Sequence, residues 1–274
     1  MNVEQDVAAY YTTQNLEERI LAILQAAGRN VDQLQSKDIE AVDNFHVGGR
    51  EATEALASFM AVKPGMHLLD VGCGIGGPAR YFAELGCHVT GIDLTEEFVS
   101  VAKSLTRRTK LDARAKFRVG SALELPFEPG AFDGAYMIHV GMNLEDKAGV
   151  FPEVARVLKP DGRFAIFDIM GDGNGAFPFP VPWAVAPGTS FVASVQDYRR
   201  ALDAAGFRVD HERGRRQFAM EFTQKMMARM ATAKGPVLGV HLLMGEQAPG
   251  MLKNVATAIA AGALEPVELV ATLG

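Results

Sequence analysis

The chain has 274 residues, 48 % hydrophobic and 22 % charged, the composition of an ordinary globular protein that can bury one large core. A net charge of −6 argues against a nucleic-acid partner, since neutralising phosphates needs a basic face. Two cysteines make neither a disulfide framework nor a zinc spacing, no run of 18 apolar residues suggests a membrane span, and the polar, acidic start is no secretory leader, so a cytoplasmic, reducing setting is expected.

Asn15-Leu16-Glu17-Glu18 reads as a capping box ahead of a helix carrying Ile20, Leu21, Ile23 and Leu24, which Gly28 closes. A polar segment runs to Asp43, followed by Phe45-His46-Val47-Gly48-Gly49 and a helix over about 51–60 that ends before Pro64. Strands are then expected near 66–71, 88–92, 116–120, 133–138 and 163–169, with helices near 77–85, 95–107 and 145–157. A Gly-, Pro- and Phe-rich loop over 170–190 breaks the rhythm, Ser194-Val195-Gln196-Asp197 caps another helix, and strands follow near 207–212 and 266–270. About fifty residues of helical pattern separate those two strands and carry Met220, Met226, Met227, Met230, Met244 and Met251, which suit a core or a plastic lid. The expected fold is α/β: a Rossmann-like, doubly wound, mostly parallel seven-stranded sheet with helical lid segments. Its parts would be an N-terminal helical cap (1–60), the core (61–213 plus 263–274) and a helical insertion (214–262), packed as one unit.

The most informative stretch is Leu68-Leu69-Asp70-Val71-Gly72-Cys73-Gly74-Ile75-Gly76-Gly77. Its glycines fit the pattern G-x-G-x-x-G, a weak signal by itself. Asp70 adds the discriminating charge. A carboxylate beside the turn repels a pyrophosphate and suits a ligand bearing an ammonium or a sulfonium. S-adenosyl-L-methionine carries both. Asp93, 21 residues past Gly72 at the end of the next strand, suits two ribose hydroxyls, which nicotinamide cofactors share. A nicotinamide-dependent oxidoreductase therefore stays open as an alternative that leaves Asp70 unexplained.

His139 follows the fourth strand at the sheet's ligand edge, where it can move a proton or only orient its neighbours. Asn143 can bind a polar acceptor or cap the helix expected from Glu145, and capping is the better reading. His46 can line a pocket or pack in its loop, and Trp183, between prolines, can pack or wall an acceptor site. His67, His88 and His211 read as structural.

Asp70, the Gly72/Gly74 turn, Asp93, the run Gly120-Ser121-Ala122-Leu123-Glu124-Leu125-Pro126-Phe127, Phe132-Asp133 and Leu158-Lys159-Pro160-Asp161-Gly162 occur in an order that resembles the class I S-adenosylmethionine-dependent methyltransferases over about residues 61–213. The stretches Leu16–Ile20, Asp43–His46, His139–Lys147 and Phe179–Trp183 resemble the narrower sarcosine/dimethylglycine-methyltransferase-like group. The resemblance implies Asp70 near the cofactor's amino group, Asp93 on the ribose, and Leu94 on the adenine. Ser121-Ala122 stands where the family usually has Asp-Ala, so Ser121 offers an uncharged, shorter acceptor to the adenine amine, and Ile138 replaces a common glutamine. Tyr11 would close over the cofactor, with S-adenosylhomocysteine as the product. Phe45, His46, Asn143 and Trp183 are the expected acceptor pocket and His139 the expected catalytic group. The expected activity is methyl transfer to a small molecule, at an amine nitrogen in the narrower resemblance or, alternatively, at carbon or oxygen of a quinone-like or other apolar molecule. A homodimer is compatible with the sequence.

Overall fold

The computed structural model describes residues 3–171, 176–232, 238–239 and 241–274, with backbone alone for 229–232. Four helices precede the sheet: α1 (Val3–Tyr11), α2 (Leu16–Ala26), α3 (Ser36–Asp43) and α4 (Gly49–Met60). The alternating segment follows as β1 (His67–Val71), α5 (Gly77–Glu84), β2 (His88–Asp93), α6 (Glu96–Arg108), β3 (Ala115–Val119), β4 (Phe132–Ile138), α7 (Lys147–Val157) and β5 (Leu158–Gly171). The chain ends with α8 (Val195–Ala204), β6 (Phe207–Gly214), α9 (Arg216–Thr232), α10 (His241–Met244), α11 (Ala248–Ala261) and β7 (Leu264–Leu273).

The seven strands form one sheet in the order β3-β2-β1-β4-β5-β7-β6. β1 to β5 pair in parallel, and β7 runs antiparallel between β5 and β6. Parallel strands buried on both faces read as continuous apolar runs, and alternate residues feed two cores. Leu69, Val71, Met137 and Ile166 meet Phe151, Val154, Tyr198 and Leu202 of α7 and α8 on one face. Leu68, Val89, Tyr136 and Phe167 meet Leu56, Met60, Ala79 and Phe82 of α4 and α5 on the other. The strand order reverses between β1 and β4, which places a ligand crevice beyond the C-terminal ends of these strands. Among the described residues no helix is long and apolar enough to cross a membrane.

Local readings fare unevenly. α2 ends as expected: Gly28 has φ 74°, its N–H donates to Gln25 O, and Arg29 N–H donates to Leu24 O, the Schellman pattern. The N-terminal capping box does not form. Asn15 sits in the left-handed region with no side-chain cap bond, and Glu97 of α6 accepts instead from Thr13, Gln14 and Leu16 N–H at 2.7, 3.0 and 3.0 Å. A charged acceptor reaching three orphan donors outcompetes a local amide. The helix after β4 begins at Lys147 with Asp146 as its cap, so Asn143 is free for another role; it closes a 3-10 turn over Gly141–Asn143. The helices α1 and α3 carry few buried apolar residues and leave no strong periodic signal. β5 and β7 extend beyond their expected spans because they pair continuously from Arg163–Thr272 to Gly171–Leu264. The methionines share no single face: Met244 and Met251 are buried, Met220 and Met227 are exposed, and the side chain of Met230 lies outside the described residues.

α3 is docked by charge. Arg80 of α5, wholly buried, donates to Asp43 Oδ2 and Ile75 O, each at 2.9 Å, and to Thr106 Oγ1 at 3.0 Å. A Cβ at Gly77 would overlap the Asp43 carbonyl, so a glycine is required for this approach. Breaking a buried pair leaves an uncompensated charge: Arg80→Ala should lower the unfolding free energy by roughly 3–5 kcal/mol. Arg199→Ala, which breaks a half-exposed pair with Glu212, should lower it by less than about 1 kcal/mol. Denaturant titration of both variants checks this, and equal losses would contradict the assigned role of the buried pair.

Candidate active site

The site is built on the turn after β1. Gly72 and Cys73 donate their N–H groups to Ile92 O at 2.8 and 3.0 Å, which locks the turn to β2, and Gly74 donates to Asp93 Oδ2 at 2.8 Å. Two glycines are needed for different reasons. At Gly72 (φ 73°) a Cβ would overlap the Val140 side chain; at Gly74 (φ 51°) it would meet nothing within 4 Å. Gly74 therefore presents bare backbone to open space, and Gly72 serves close packing between two loops.

Asp70 is 2 % exposed, and its Oδ2 has no hydrogen-bond partner. Burial pushes its carboxyl up to about 8, against the pull of the nearby Tyr136 hydroxyl, which itself makes no well-formed hydrogen bond. Asp93 is better supported: Oδ1 accepts from Thr95 N–H at 2.9 Å and Oδ2 from Gly74 N–H. Burial still raises its pKa against these donors. A carboxylate has about four lone-pair sites, so two backbone bonds leave room for two hydroxyls.

These acids line a cavity of about 120 Å³. Val7 and Tyr11 of α1 cover it. The Tyr11 ring packs against Phe98 and Phe45, with centroids 5.7 and 6.3 Å away. Its hydroxyl donates to Asn143 Oδ1 at 2.9 Å, and Asn143 Nδ2 donates to Trp183 O at 3.0 Å. Asn143 thus joins the N-terminal helix to the loop before α8. Burial holds the Tyr11 hydroxyl well above its ordinary pKa.

Two histidines, His46 and His139, also line the cavity. His46 Nε2 lies 2.8 Å from Gly49 O and 3.1 Å from Thr53 Oγ1. A carbonyl can only accept, so Nε2 of His46 carries the proton. His139, at φ 55°, has its ring centroid 5.9 Å from that of His46, and both rings pack on Phe167. Nε2 of His139 has no partner. Burial lowers His46 to about 4, and burial together with His46 holds His139 well below its usual range, so both are neutral at pH 7.

Of the residues singled out from sequence, Tyr11, Phe45, His46, Asp70, Gly72, Gly74, Asp93, Leu94, Ala122, His139 and Asn143 all line this cavity, and so does Ile138. Ser121 and Trp183 do not. The Ser121 hydroxyl donates to Glu4 of α1 and accepts from Leu123 N–H at 3.0 Å. Trp183 is 3 % exposed, donates from Nε1 to Ser190 Oγ at 2.9 Å, and reaches the site through its carbonyl. Sequence reasoning missed Val7, Asp43, Thr95 and Phe98. Phe98 had a usable signal, an apolar position one turn into the helix that follows Asp93.

The residues fit the cofactor inferred from charge. The unpartnered Asp70 oxygen suits an ammonium, the spare lone pairs of Asp93 suit a ribose, and Gly74 gives the open backbone between them.

Residues 69–166 match the family described as a methyltransferase domain. A sterol 24-C-methyltransferase (ERG6B) of Gibberella zeae is 40 % identical over 114 residues, which are 41 % of this chain and 30 % of that protein. The chain spans about a third of the length of such curated relatives. The solved geranyl diphosphate C-methyltransferase of Streptomyces coelicolor A3(2) aligns with a TM-score of 0.73 at 19 % identity, over 100 % of this chain and 99 % of that one. A structure described as a sarcosine dimethylglycine methyltransferase from Galdieria sulphuraria aligns with a TM-score of 0.66 at 22 % identity, over 82 % and 85 %. At those identities the two structures share a fold with this chain. Family match, strand order and glycine turn agree: residues 69–166 are a methyltransferase domain, set in the seven-stranded sheet of the methyltransferase fold.

Proposed function

We propose that the protein transfers the methyl group of S-adenosylmethionine to a carbon atom of a small, mostly apolar acceptor. The observation that carries the cofactor assignment is the buried Asp70 carboxyl, whose Oδ2 has no hydrogen-bond partner and which lines one cavity with the glycine turn and Asp93. When bound, the cofactor supplies an electrophilic methyl carbon on a positive sulfur. Asp70 would hold the ammonium, Asp93 the ribose, and Leu94 and Ala122 would flank the adenine. Tyr11 and Val7 would keep water from the sulfonium.

The remaining wall favours an apolar acceptor. Phe45, Ile138, Val140 and Leu144 line the cavity with the two neutral histidines, and the acids Glu4 and Asp43 line it as well. An acceptor double bond that takes up the methyl group leaves positive charge on the neighbouring carbon. The Tyr11 and Phe45 rings would stabilise that charge, and a neutral His139 or His46 would take the proton released as the double bond re-forms. The names of the sterol and geranyl diphosphate relatives support carbon as the methylated atom. A second reading, methylation of an amine nitrogen, draws on the fold shared with the Galdieria protein and on the aromatic wall. Among the described lining residues there is no Lys or Arg, so the carboxylate of an amino-acid-like acceptor finds no counter-charge there, and a diphosphate finds none either. Screening neutral prenyl and sterol-like alkenes, phenols and tertiary amines for release of S-adenosylhomocysteine tests the proposal. Turnover with the amines alone would favour the second reading.

Cofactor titration by calorimetry should detect S-adenosylmethionine and not a nicotinamide dinucleotide. Asp93→Ala should weaken binding at least roughly tenfold, through loss of two hydrogen bonds to a charged acceptor. Gly74→Ala meets no neighbouring atom but is strained by its positive φ, so it should weaken binding with a modest loss of stability, of about 1 kcal/mol, whereas Gly72→Val should destabilise the fold further through its overlap with Val140. Unchanged affinity in Asp93→Ala and Gly74→Ala would remove the cofactor assignment.

Asp70 also predicts a proton signature. With its carboxyl raised to about 8, the free protein holds a proton there at pH 7, and an incoming ammonium expels it. Affinity should rise between pH 6 and about 8, and heats measured in buffers of different ionisation enthalpy should report net proton release. In Asp70→Asn that release should vanish and affinity should fall. Buffer-independent heats in the wild-type protein would contradict the ammonium assignment.

A further inference from the structure

The turn that carries His139 is held by a carboxylate outside the cavity. Asp168 of β5 is wholly buried. Its Oδ1 accepts from Val140 N–H at 2.8 Å, and Gly141 N–H lies 3.2 Å from Oδ1 and 3.1 Å from Oδ2. Tyr198 of α8 donates its hydroxyl to Oδ2 at 2.9 Å. The approach depends on glycine, since a Cβ at Gly141 would overlap both Tyr198 Oη and Asp168 Oδ2. The Lys147 ammonium lies 5.5 Å from the Tyr198 ring centroid, favours the ionised Asp168, and donates to Leu144 O and Phe191 O at 2.8 and 2.7 Å. One acid therefore gathers consecutive backbone donors of a turn, a device usually used to bind an anion.

The side chain of His139 has no comparable support. Its backbone N–H donates to Phe167 O at 2.7 Å, its φ is 55°, and its Nε2 has no partner. The ring is aimed by the turn and by packing on Phe167 and His46. A left-handed conformation at a non-glycine residue persists only where its surroundings impose it. Here the two residues that follow it are fixed by Asp168.

We propose that Asp168, with Tyr198 as its support, is the positioning residue for His139: it acts through the backbone N–H groups of Val140 and Gly141 and touches neither cofactor nor acceptor. This rests on the reading of His139 as an acceptor-side group of a methyltransferase. Charge-assisted bonds to backbone donors are about twice as strong as neutral ones, so an isosteric amide cannot replace the carboxylate. An asparagine carbonyl in the place of Oδ1 still accepts from both N–H groups, but without charge, and its NH2 group accepts neither from Gly141 N–H nor from the Tyr198 hydroxyl that Oδ2 receives.

The test uses the full chain with ring-13C-labelled histidine, in the presence and absence of S-adenosylhomocysteine, with the His139 signal assigned by its loss in His139→Gln. In Asp168→Asn the His139 signal should move or broaden while His67 and His88, at the far ends of their strands, stay in place. Exchange of the Val140 and Gly141 amides should rise roughly a hundredfold with Met137 and Ile138 unchanged. With the first acceptor that the wild type turns over, kcat should fall at least roughly tenfold while acceptor KM stays within about threefold. Tyr198→Phe, which keeps the carboxylate, should give the same changes at smaller size. An unmoved His139 signal with unchanged amide exchange would overturn the proposal. So would a loss of kcat matched by equal losses of cofactor affinity and Tm, the mark of a merely structural residue. If the wild type turns over no acceptor, the methyltransferase reading fails, and the histidine signal and amide exchange still decide whether Asp168 positions the turn.

Discussion

The hydrogen bond from Gly74 N–H to the Asp93 carboxylate is the contact on which the site depends. It ties the glycine turn after β1 to the end of β2 and fixes where bare backbone faces the cavity. The same carboxylate receives Thr95 N–H and so also sets the start of α6, whose Phe98 packs on Tyr11 of the covering helix. In the proposed reading, cofactor floor, ribose anchor and part of the roof would thus share one side chain. Neutral asparagine would keep the shape but weaken acceptance by about half.

Asp70, Asp93 and Asp168 stand along the C-terminal edge of the sheet at three levels of satisfaction. Asp168 is filled by protein donors, Asp93 is half filled, and Asp70 has an oxygen with no partner. That gradient runs from structure to ligand. Burial raises all three, and Asp43 as well, so the folded state binds protons more tightly than the unfolded chain. For such groups, stability is greatest at low pH and declines as pH rises from the unfolded carboxyl value near 4 through the folded value, about 6 for Asp43 and Asp168 and about 8 for Asp70. The trend is opposite to that of an ordinary salt-bridged carboxylate. A bound ammonium at Asp70 would relieve the largest of these costs, which links cofactor binding to stability near neutral pH.

The glycine turn, Asp70 and Asp93 were legible in the sequence because chemistry at that spacing has few alternatives, and the strand–helix rhythm came from apolar runs that tertiary contacts reinforce. Where the sequence misled, a distant residue had overridden a local pattern. Asn15 looked like a cap, yet Glu97 takes the donors near it. Asn143 looked like a cap as well, yet its partners are Tyr11 and Trp183, far away along the chain. α1 and α3 are short and bury few apolar side chains, so their stability comes from docking on Asn143, Arg80 and the cavity rim, which no window of sequence contains. Trp183 had the chemistry of a pocket wall, but packing with Phe177 and a bond to Ser190 turn it inward.

A crystal structure of the protein with S-adenosylhomocysteine tests the central claim most directly. The product keeps the amino group, the ribose and the adenine, so each anchor is read separately. The amino nitrogen should lie at about 3 Å from the Asp70 carboxylate and both ribose hydroxyls at the same distance from Asp93, with the chain of the amino acid passing over Gly74. A nucleoside bound elsewhere, or one whose amino group points away from Asp70, would contradict it.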